Sequence, residues 1–375
     1  MRDLAVVPDD PRSLIPALRA ALERTGPAVL PFPAGGEAPE APGRVPLPVA
    51  VVVTTSGTSG SPKSVALSAG ALLASAAATE SALGGPGEWV LALPGHYIAG
   101  VQVVVRAFAA ETEPLALPAG PFTAAAFADA VLAMPDQRRR YTALVPTQLH
   151  RILDAMEGGD HRVRDAARAL DAVLIGGGRL PAELAERADA AGVRVRRTYG
   201  ASETAGGCVY DGVPLAGVEV RIRDGEVQLS GPTLAEGYLG EPERTAAAFL
   251  EEPGRRWYRT GDAGEWDGER LSVTGRLDDV VITGGEKVSL GLVERAVQAI
   301  PGLGSALVVR GTDPEWGDVP VVITTAAADL EAVRSAVGDR IGRVAAPRRI
   351  VVVGAIPLLA SGKPDRRALT ALASA

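Results

Sequence analysis

Three lysines stand where a small positive charge could do chemistry. Of the 38 basic side chains in this chain of 375 residues, only Lys63, Lys287 and Lys363 are lysines, and all three lie in glycine-rich sequence. Lysine is a compact charge on a thin stem, whereas arginine is a broad planar fork, so lysine suits a site that places one small cation against a phosphate or a reacting carboxylate. Chance would scatter lysines over solvated helix faces. The pattern therefore favours a functional role for Lys63 and Lys363 and leaves Lys287 undecided.

The stretch Thr55–Lys63 could hold phosphate groups. Its glycines allow positive φ and a close approach of the backbone, and its hydroxyl and N–H groups can surround phosphate oxygens while Lys63 supplies charge. It is not a Walker A loop, because Pro62 stands where that motif has a glycine, and a kinase or GTPase is therefore disfavoured. A flexible linker is also disfavoured, because a strand and a helix are expected close on either side. The candidate phosphate ligands are Thr55, Ser56, Gly57, Thr58, Ser59, Gly60 and Lys63.

Two acidic side chains follow predicted strands and suit a nucleotide. Glu203, in Tyr199–Thr204, could bind Mg²⁺ beside a triphosphate, because Mg²⁺ takes one or two carboxylates together with phosphates. Asp262, in Tyr258–Asp262, could accept hydrogen bonds from both hydroxyls of a ribose. Either short motif is weak when taken alone.

Arg276 lies in the segment 275–279, at the expected boundary between two domains. Hinge residues belong at such a boundary. The guanidinium could meet a phosphate, or it could pair with Asp278 or Asp279 on the surface, and the sequence leaves both readings open.

Composition and motif content disfavour several classes of protein. The net charge of −7 and the pI of about 5.3 argue against a general nucleic-acid binder. The single cysteine, Cys208, cannot form an internal disulfide, which fits a reducing compartment, and neither it nor the histidines show zinc-ligand spacing. A serine hydrolase is disfavoured because there is no Gly-x-Ser-x-Gly motif. We expect a cytoplasmic protein without a membrane span, because no signal sequence or long apolar run is present.

Strand and helix patterns alternate from Val49 to about residue 206, which predicts a parallel sheet covered by helices. The 48 residues before this region are rich in proline and glycine and predict a short helix followed by irregular chain. Parallel sheets bind ligands at the carboxyl ends of their strands, so the loops that follow strands can converge on one crevice. These loops are 55–63, 93–97, 146–148, 176–179 and 199–204.

The pattern changes after Gly206. Short alternating runs separated by turns such as Asp224-Gly225 predict a small antiparallel β subdomain at about 207–274. A compact α+β unit follows. We therefore expect an α/β fold with a large N-terminal domain over 1–277 and a small mobile domain over 278–375.

Six motifs occur in the order that is characteristic of the acyl-adenylate-forming superfamily, which the chain resembles over roughly 50–370. The motifs are Thr55–Lys63, Tyr199–Thr204, Gly225–Gly240, Tyr258–Asp262, Gly275–Asp279 and Ser361–Lys363. Within the superfamily, Leu91–Arg106 and Ala143–Leu149 resemble the short actinobacterial form of the 2-succinylbenzoate–CoA ligases of menaquinone biosynthesis. Members usually carry a much longer segment before the phosphate loop, whereas here 54 residues precede Thr55, which implies a reduced outer subdomain.

The resemblance implies a ligase that works in two steps. A carboxylate attacks the α-phosphate of MgATP to give acyl-AMP and pyrophosphate, and the thiol of CoA then displaces AMP. The residues that would surround the nucleotide are Thr55–Lys63 at the β- and γ-phosphates, Glu203 at Mg²⁺, Gly176, Gly177, Gly178 and Tyr199 at the adenine, Asp262 at the ribose, and Thr204 and Arg276 near the α-phosphate.

The same resemblance assigns roles to the C-terminal motifs. Lys363 would bridge the attacking carboxylate and the phosphate, and a positioned cation there would neutralise charge as the bond forms. Asp278 would be the hinge about which the small domain turns. Gly284 and Gly285 would then line the CoA tunnel.

An aromatic dicarboxylic acid needs a pocket with an apolar wall and with donors for the carboxylate that does not react. The loops after the strands offer His96, Tyr97, Thr147, Gln148 and Ser202. Packing of His96 and Tyr97 against the start of the next helix is the alternative reading.

Other functions stay open at this point. The chain could be a different aryl- or acyl-CoA synthetase, or an adenylating enzyme that serves a carrier protein. A non-catalytic sensor of nucleotide or acyl-AMP is less favoured, because it would not need Lys363 or Glu203. A homodimer is compatible with the resemblance.

Overall fold

Buried runs of valine and alanine form the central strands, as in Val49–Thr55, whose first five residues are inaccessible to solvent. This computed structural model describes residues 1–55, 62–283, 285–314, 316–359 and 364–374. The helices in this part of the chain are α1 (Pro11–Leu22), α2 (Ala69–Leu83), α3 (Ile98–Ala109), α4 (Ala124–Leu132), α5 (Pro146–Glu157), α6 (His161–Ala169), α7 (Ala182–Ala190), α8 (Pro242–Ala248), α9 (Leu290–Gln298), α10 (Leu330–Ile341) and α11 (Arg366–Ser374). Single 3-10 turns lie at Ser202–Thr204 and Arg343–Ala345.

Strands alternate with these helices up to about residue 206 and predominate after it. The first twelve are β1 (Arg2–Pro8), β2 (Ala28–Phe32), β3 (Arg44–Val45), β4 (Val49–Thr55), β5 (Lys63–Ser68), β6 (Gly87–Leu91), β7 (Leu115–Ala116), β8 (Arg139–Leu144), β9 (Ala172–Ile175), β10 (Val195–Ala201), β11 (Gly206–Tyr210) and β12 (Val213–Pro214). The others are β13 (Glu219–Arg223), β14 (Glu226–Ser230), β15 (Gly237–Tyr238), β16 (Phe249–Glu252), β17 (Arg255–Trp266), β18 (Leu271–Arg276), β19 (Val280–Thr283), β20 (Glu286–Ser289), β21 (Leu307–Asp313), β22 (Gly317–Thr324) and β23 (Arg349–Val352).

Two sheets enclose the main core. The first has the order β15-β5-β4-β2-β1-β3, and the second has the order β12-β11-β10-β9-β8-β6-β7, in which the five strands from β10 to β7 are parallel. Helices α1, α2 and α3 lie between the sheets, and their apolar side chains join those of both sheets in one buried cluster. Helices α4 to α7 cover the other face of the second sheet through a separate cluster. The predicted α/β class is confirmed.

The remaining chain forms two smaller sheets. Strands β13, β14, β17 and β16 pair antiparallel, and β18 joins them through β17. The C-terminal sheet has the order β20-β19-β22-β21, with β23 parallel to β22, and it packs on α9, α10 and α11. None of the helices in the described ranges combines the length and the apolar character that crossing a bilayer requires.

The expectation for the first 48 residues is wrong in part. They contain α1, as expected, but also β1 and β2, which pair in parallel from Leu4↔Ala28 to Pro8↔Phe32 and belong to the first sheet. Asp10 caps α1, with Pro11 in its first turn. Pro8 ends β1 and Pro31 is the next-to-last residue of β2. Because proline lacks the N–H that a strand residue donates, its presence favours the interpretation as irregular chain.

Candidate active site

The predicted phosphate loop closes an antiparallel hairpin. Thr55 ends β4, Lys63 begins β5, and the two residues pair in register. The helix expected close to the loop is α2, but strand β5 comes first, and α2 starts only after Ser68, whose hydroxyl accepts from the Ala71 N–H. Residues 56–61, which include Ser56, Gly57, Thr58, Ser59 and Gly60, lie outside the described residues.

Glu203 is the centre of a polar cluster beside this hairpin. Its side chain is buried, and its Oε1 accepts a hydrogen bond of 2.8 Å from the phenol of Tyr238. The Lys63 Nζ lies 4.0 Å from the same oxygen and 5.2 Å from the centre of the Tyr238 ring. Burial and the charge of Glu203 raise the pKa of Tyr238, so the phenol keeps its proton and stays a donor. Tyr238 was not predicted, although it lies in the Gly225–Gly240 motif.

The turn that carries Glu203 is held by hydrogen bonds between the Thr204 hydroxyl and the backbone. Thr204 is fully buried, and its hydroxyl accepts from the Ala201 N–H at 2.9 Å and lies 2.8 Å from the Gly206 carbonyl. A Cβ at Gly200 would lie 2.1 Å from that carbonyl, so only glycine fits there. In this geometry the Thr204 hydroxyl closes the turn, and its predicted approach to an α-phosphate stays a prediction. Ser202 is buried in the same turn.

Three side chains form a polar chain at the predicted ribose position. The Tyr199 phenol donates to Asp262 Oδ2 at 2.7 Å, and Arg276 donates to Asp262 Oδ1 at 3.3 Å and to the Thr260 carbonyl at 3.0 Å. Burial raises the pKa of Asp262, and the bonds from Tyr199 and Arg276 partly offset this. The structure thus brings Tyr199, Asp262 and Arg276 together, as the motifs suggested.

Arg276 also makes the surface ion pair that the sequence left open. Its Nε lies 3.0 Å from Asp278 Oδ1, and this hydrogen bond lowers the pKa of Asp278. The surface ion pair is therefore formed, the same guanidinium reaches Asp262 on its other side, and its contact with a phosphate stays a prediction.

The predicted adenine segment follows β9, at the carboxyl edge of the second sheet. A Cβ at Gly176 would lie 2.6 Å from the Thr198 hydroxyl, whereas a Cβ at Gly178 would meet no atom within 4 Å. Gly177 has a φ of 75°. Gly176 therefore packs against Thr198, whereas the backbone at Gly178 is open.

The residues predicted for the acyl pocket differ in burial and in their hydrogen-bond partners. Gln148 is buried, and its amide accepts from the Val145 N–H and donates to the Ala92 carbonyl at 2.9 Å. The amide oxygen and one N–H of Gln148 are thus engaged by backbone, so its second N–H would be the donor to substrate, and this role stays a prediction. Thr147 is half-buried in the first turn of α5.

His96 and Tyr97 lie together before α3. Their rings are 4.0 Å apart, and His96 Nδ1 forms a very short hydrogen bond with the carboxylate of Asp9. Helix α3 in turn touches the Glu203 turn, because Gln102 donates to the Ala205 carbonyl at 2.8 Å. The loops after β6, β8 and β10 therefore meet at one end of the second sheet, as predicted.

The C-terminal candidates are only partly described. Gly285 lies in the turn between β19 and β20 with a φ of 86°, and Lys287 is exposed on β20. Gly284 and Lys363 lie outside the described residues. Leu277, the last residue of the expected N-terminal domain, donates its N–H to the Gly261 carbonyl of the same domain at 2.8 Å.

The donor set at Glu203 fits a hard cation that brings most of its own ligands. No group of three or more His, Cys, Asp or Glu side chains that could hold a metal occurs among the described residues. Glu203 supplies one carboxylate, of which Oε1 is used by Tyr238. Mg²⁺ commonly binds one carboxylate together with phosphates and waters.

The family profiles and the curated relatives together match almost the whole chain. The profile of the AMP-binding enzymes matches residues 5–239, and that of the AMP-binding enzyme C-terminal domain matches 292–363. A probable 2-succinylbenzoate–CoA ligase from Mycobacterium tuberculosis is 41% identical over 372 residues, which cover 95% of this chain and 94% of the relative. The 2-succinylbenzoate–CoA ligase of Salmonella typhimurium is 32% identical over 84% of this chain and 67% of its own length.

Solved structures have the same fold. A variant of Escherichia coli MenE with bound OSB-AMS superposes with a TM-score of 0.69 at 29% identity and covers 90% of this chain and 72% of that one. The amide bond synthetase McbA of Marinactinospora thermotolerans gives a TM-score of 0.76 at 27% identity and covers 100% and 80%. This chain belongs to the AMP-binding enzyme family.

Proposed function

We propose that this chain is an AMP-forming acid–CoA ligase that converts 2-succinylbenzoate into its CoA thioester in menaquinone biosynthesis. The observation that carries the proposal is the identity of 41% to a probable 2-succinylbenzoate–CoA ligase across nearly the full length of both proteins. The clusters at Glu203 and Asp262 supply the groups that such a reaction needs.

In the first half-reaction, a carboxylate oxygen of the acid forms a bond to the α-phosphorus of ATP, and the bond from that phosphorus to pyrophosphate breaks. The hairpin loop and Lys63 bind the β- and γ-phosphates, and the Asp262 carboxylate orients the ribose. Lys363 is the cation that approaches both reacting anions. These charges lower the barrier because they are already in place when negative charge accumulates.

Glu203 would hold Mg²⁺, which would neutralise phosphate charge when bound. Tyr238 fixes the carboxylate by donating to Oε1, and Lys63 adds a positive charge on the same side. The cluster thus restrains the carboxylate in one orientation before any ligand arrives.

In the second half-reaction, the sulfur of CoA forms a bond to the acyl carbon, the bond from that carbon to AMP breaks, and the thiol proton leaves to solvent. We propose that residues 278–375 turn about Asp278 between the two steps, as a lid that exchanges one set of contacts for another. The turn at Gly284 and Gly285 then lines the CoA tunnel, and Thr204 and Arg276 remain near the α-phosphate. Since the reaction uses ATP and CoA, we place it in the cytoplasm, and we propose a homodimer, which a native mass would check.

A panel of acids tests the substrate. Pyrophosphate release and CoA thioester formation are measured with 2-succinylbenzoate, benzoate and octanoate. Buried donors that hold the spectator carboxylate would stay unpaired with the other two acids, which costs roughly 1–3 kcal/mol per group, so we expect a strong preference for 2-succinylbenzoate. Equal rates with octanoate would favour a fatty-acid ligase instead, and the medium/long-chain-fatty-acid–CoA ligase FadD8 is 31% identical over 65% of this chain.

A second candidate differs in the acceptor. McbA, an amide bond synthetase, covers the whole of this chain at a TM-score of 0.76. An amine in place of CoA would then accept the acyl group. Thioester formation in the presence of excess amine would exclude this reading, whereas amide formation without thioester would support it.

A further inference from the structure

The N-terminal unit, β1–α1–β2 (residues 2–32), supports the loop that precedes α3. A Cβ at Gly95 would lie 2.3 Å from Leu14 Cδ2, so the loop backbone packs directly on α1. A Cβ at Gly100 would lie 2.2 Å from the Pro94 carbonyl, so the same loop also folds back tightly on the first turn of α3. The position of His96 is therefore set from two sides.

Asp9, which directly follows β1, is held in one orientation. Its N–H donates to the Phe32 carbonyl at 2.8 Å, and its Oδ1 accepts from the Ala34 N–H at 2.7 Å. Its Oδ2 forms the very short bond to His96 Nδ1. The side chains of Asp9 and His96 are only 12% and 14% exposed, so water competes little for this contact.

The contact of the Asp9 carboxylate with Nδ1 determines which nitrogen of the His96 ring remains for another partner. Asp9 accepts, so Nδ1 carries a proton, and Nε2 is the nitrogen that remains for another partner. Within the described part of the chain, Nε2 forms no hydrogen bond. When Nε2 also carries a proton, the ring is held by one carboxylate at Nδ1 and can donate to a second carboxylate at Nε2.

We propose that Asp9 is a positioning residue of the ligase reaction, which holds His96 so that its Nε2–H binds the unreactive carboxylate of the acid substrate. This inference rests on the proposed function. It gives the short N-terminal unit a part in substrate selection, because that unit supplies the group that orients the pocket histidine. Asp9 acts through His96 and does not itself touch the substrate.

The test compares Asp9→Asn with a matched change elsewhere. In Asp9→Asn, the amide oxygen can still accept from Ala34, but the NH₂ group then donates to Nδ1. The ring can therefore hold only one proton, at Nε2, and it loses the negative charge that supports a doubly protonated imidazole. Asp154→Asn makes the same change at an exposed pair, His150–Asp154, whose closest atoms are 3.4 Å apart on α5. Steady-state ATP–pyrophosphate exchange gives kcat and KM for each acid, and thermal unfolding reports the fold.

We expect Asp9→Asn to raise the KM for 2-succinylbenzoate about ten-fold, the loss typical of a hydrogen bond to a charged group. The KM for ATP, the kcat and the weak reaction with benzoate should change little, and Asp154→Asn should behave like the wild type. In a His96→Ala background, Asp9→Asn should have no further effect on KM, because the two residues act as one unit.

An unchanged KM in Asp9→Asn would overturn the inference, and so would the same rise in KM with and without His96. A lower unfolding temperature with no change in KM would also overturn it, since Asp9 would then only stabilise the fold. Absence of exchange with 2-succinylbenzoate in the wild-type protein would instead refute the proposed function itself, and the two failures are therefore distinguishable.

Discussion

At the scale of single residues, the contact between Tyr238 and Glu203 joins two distant parts of the sequence. Tyr238 lies on β15, at the edge of the first sheet, and Glu203 lies in a turn after β10 of the second sheet. Both side chains are buried. A buried carboxylate needs a donor, and the phenol supplies it without adding a second charge.

Replacing Tyr238 by phenylalanine should impair adenylation. The change leaves Glu203 Oε1 without its phenol donor, and an unsatisfied buried acceptor costs roughly 1–3 kcal/mol. We expect pyrophosphate exchange to fall by about one to two decades and the Mg²⁺ concentration at half-maximal rate to rise. Tyr141→Phe is the control, since that phenol also donates to buried backbone, at Leu83 and Gly85, away from the motifs. An identical Mg²⁺ titration in Tyr238→Phe and wild type would contradict the assignment.

Substitutions of Lys363 test whether adenylation needs a compact positive charge at this position. Lys363→Ala should lower acyl-AMP formation by roughly two to three decades, as removal of one charge-stabilising donor does in other enzymes. Thioester formation from supplied acyl-AMP should survive. Lys363→Arg should also fail, because a planar fork does not fit where a point charge sits. Equal losses in both half-reactions would show that the lysine does not serve adenylation alone.

Sequence reasoning reached the charged residues of the site but missed some of their partners. Glu203, Asp262 and Arg276 were found because each stands in a short motif with a recognisable chemical purpose. Tyr238 was missed because its contact depends on the pairing of β15 with β5, which no local pattern reveals. The backbone partners of Gln148 were missed for a related reason, since only the folded loop brings the Val145 N–H and the Ala92 carbonyl near its amide.

At the scale of elements, uninterrupted apolar strands are easier to recognise than strands with proline or a polar start. β9 is of the first kind, because all four of its residues are apolar and buried. β1 alternates only weakly and is mostly half-buried, and β2 contains a proline. β5 was missed because its polar start reads as loop and its end is the cap of α2.

Helix α9 carries a buried acid whose titration should affect stability. Glu294 accepts from the Val308 N–H at 2.9 Å and pairs with Arg366 at 3.2 Å, and burial raises its pKa although Arg366 opposes this. A folded carboxyl that holds its proton more tightly than the unfolded chain makes the protein lose stability as pH rises from the usual range of Glu, about 4.3, through the raised pKa.

Glu294→Gln removes this titration while it keeps an acceptor for Val308. We therefore expect the free energy of unfolding of the variant, relative to that of the wild type, to increase as pH rises through this window and to level off above it. Urea unfolding at a series of pH values measures the difference. A relative gain by the wild type over the same range would mean that the ion pair with Arg366 outweighs burial.

At the scale of the whole molecule, the hinge should separate the two half-reactions. Asp278→Pro restricts φ at this position, and the backbone N–H of Asp278 donates to no other residue's carbonyl within the described ranges. Pyrophosphate exchange should persist while CoA thioester formation falls. Asp278→Ala removes only the ion pair with Arg276 and should retain both activities to a greater extent. Normal thioester formation in the proline variant would rule out rotation about this residue.

The position of Glu203 between two sheets has a consequence for how the protein should fail under stress. Lys63 and Tyr238 belong to the first sheet, and Glu203 lies in the turn that follows β10 of the second sheet. The polar cluster therefore spans the boundary between two separately hydrogen-bonded sheets. A small shift of one sheet relative to the other would leave every strand intact and would still separate the Lys63 cation, the Tyr238 phenol and the Glu203 carboxylate. Adenylation activity should therefore respond to a misalignment of the sheets that leaves the secondary structure unchanged. On heating, loss of activity should precede loss of secondary structure.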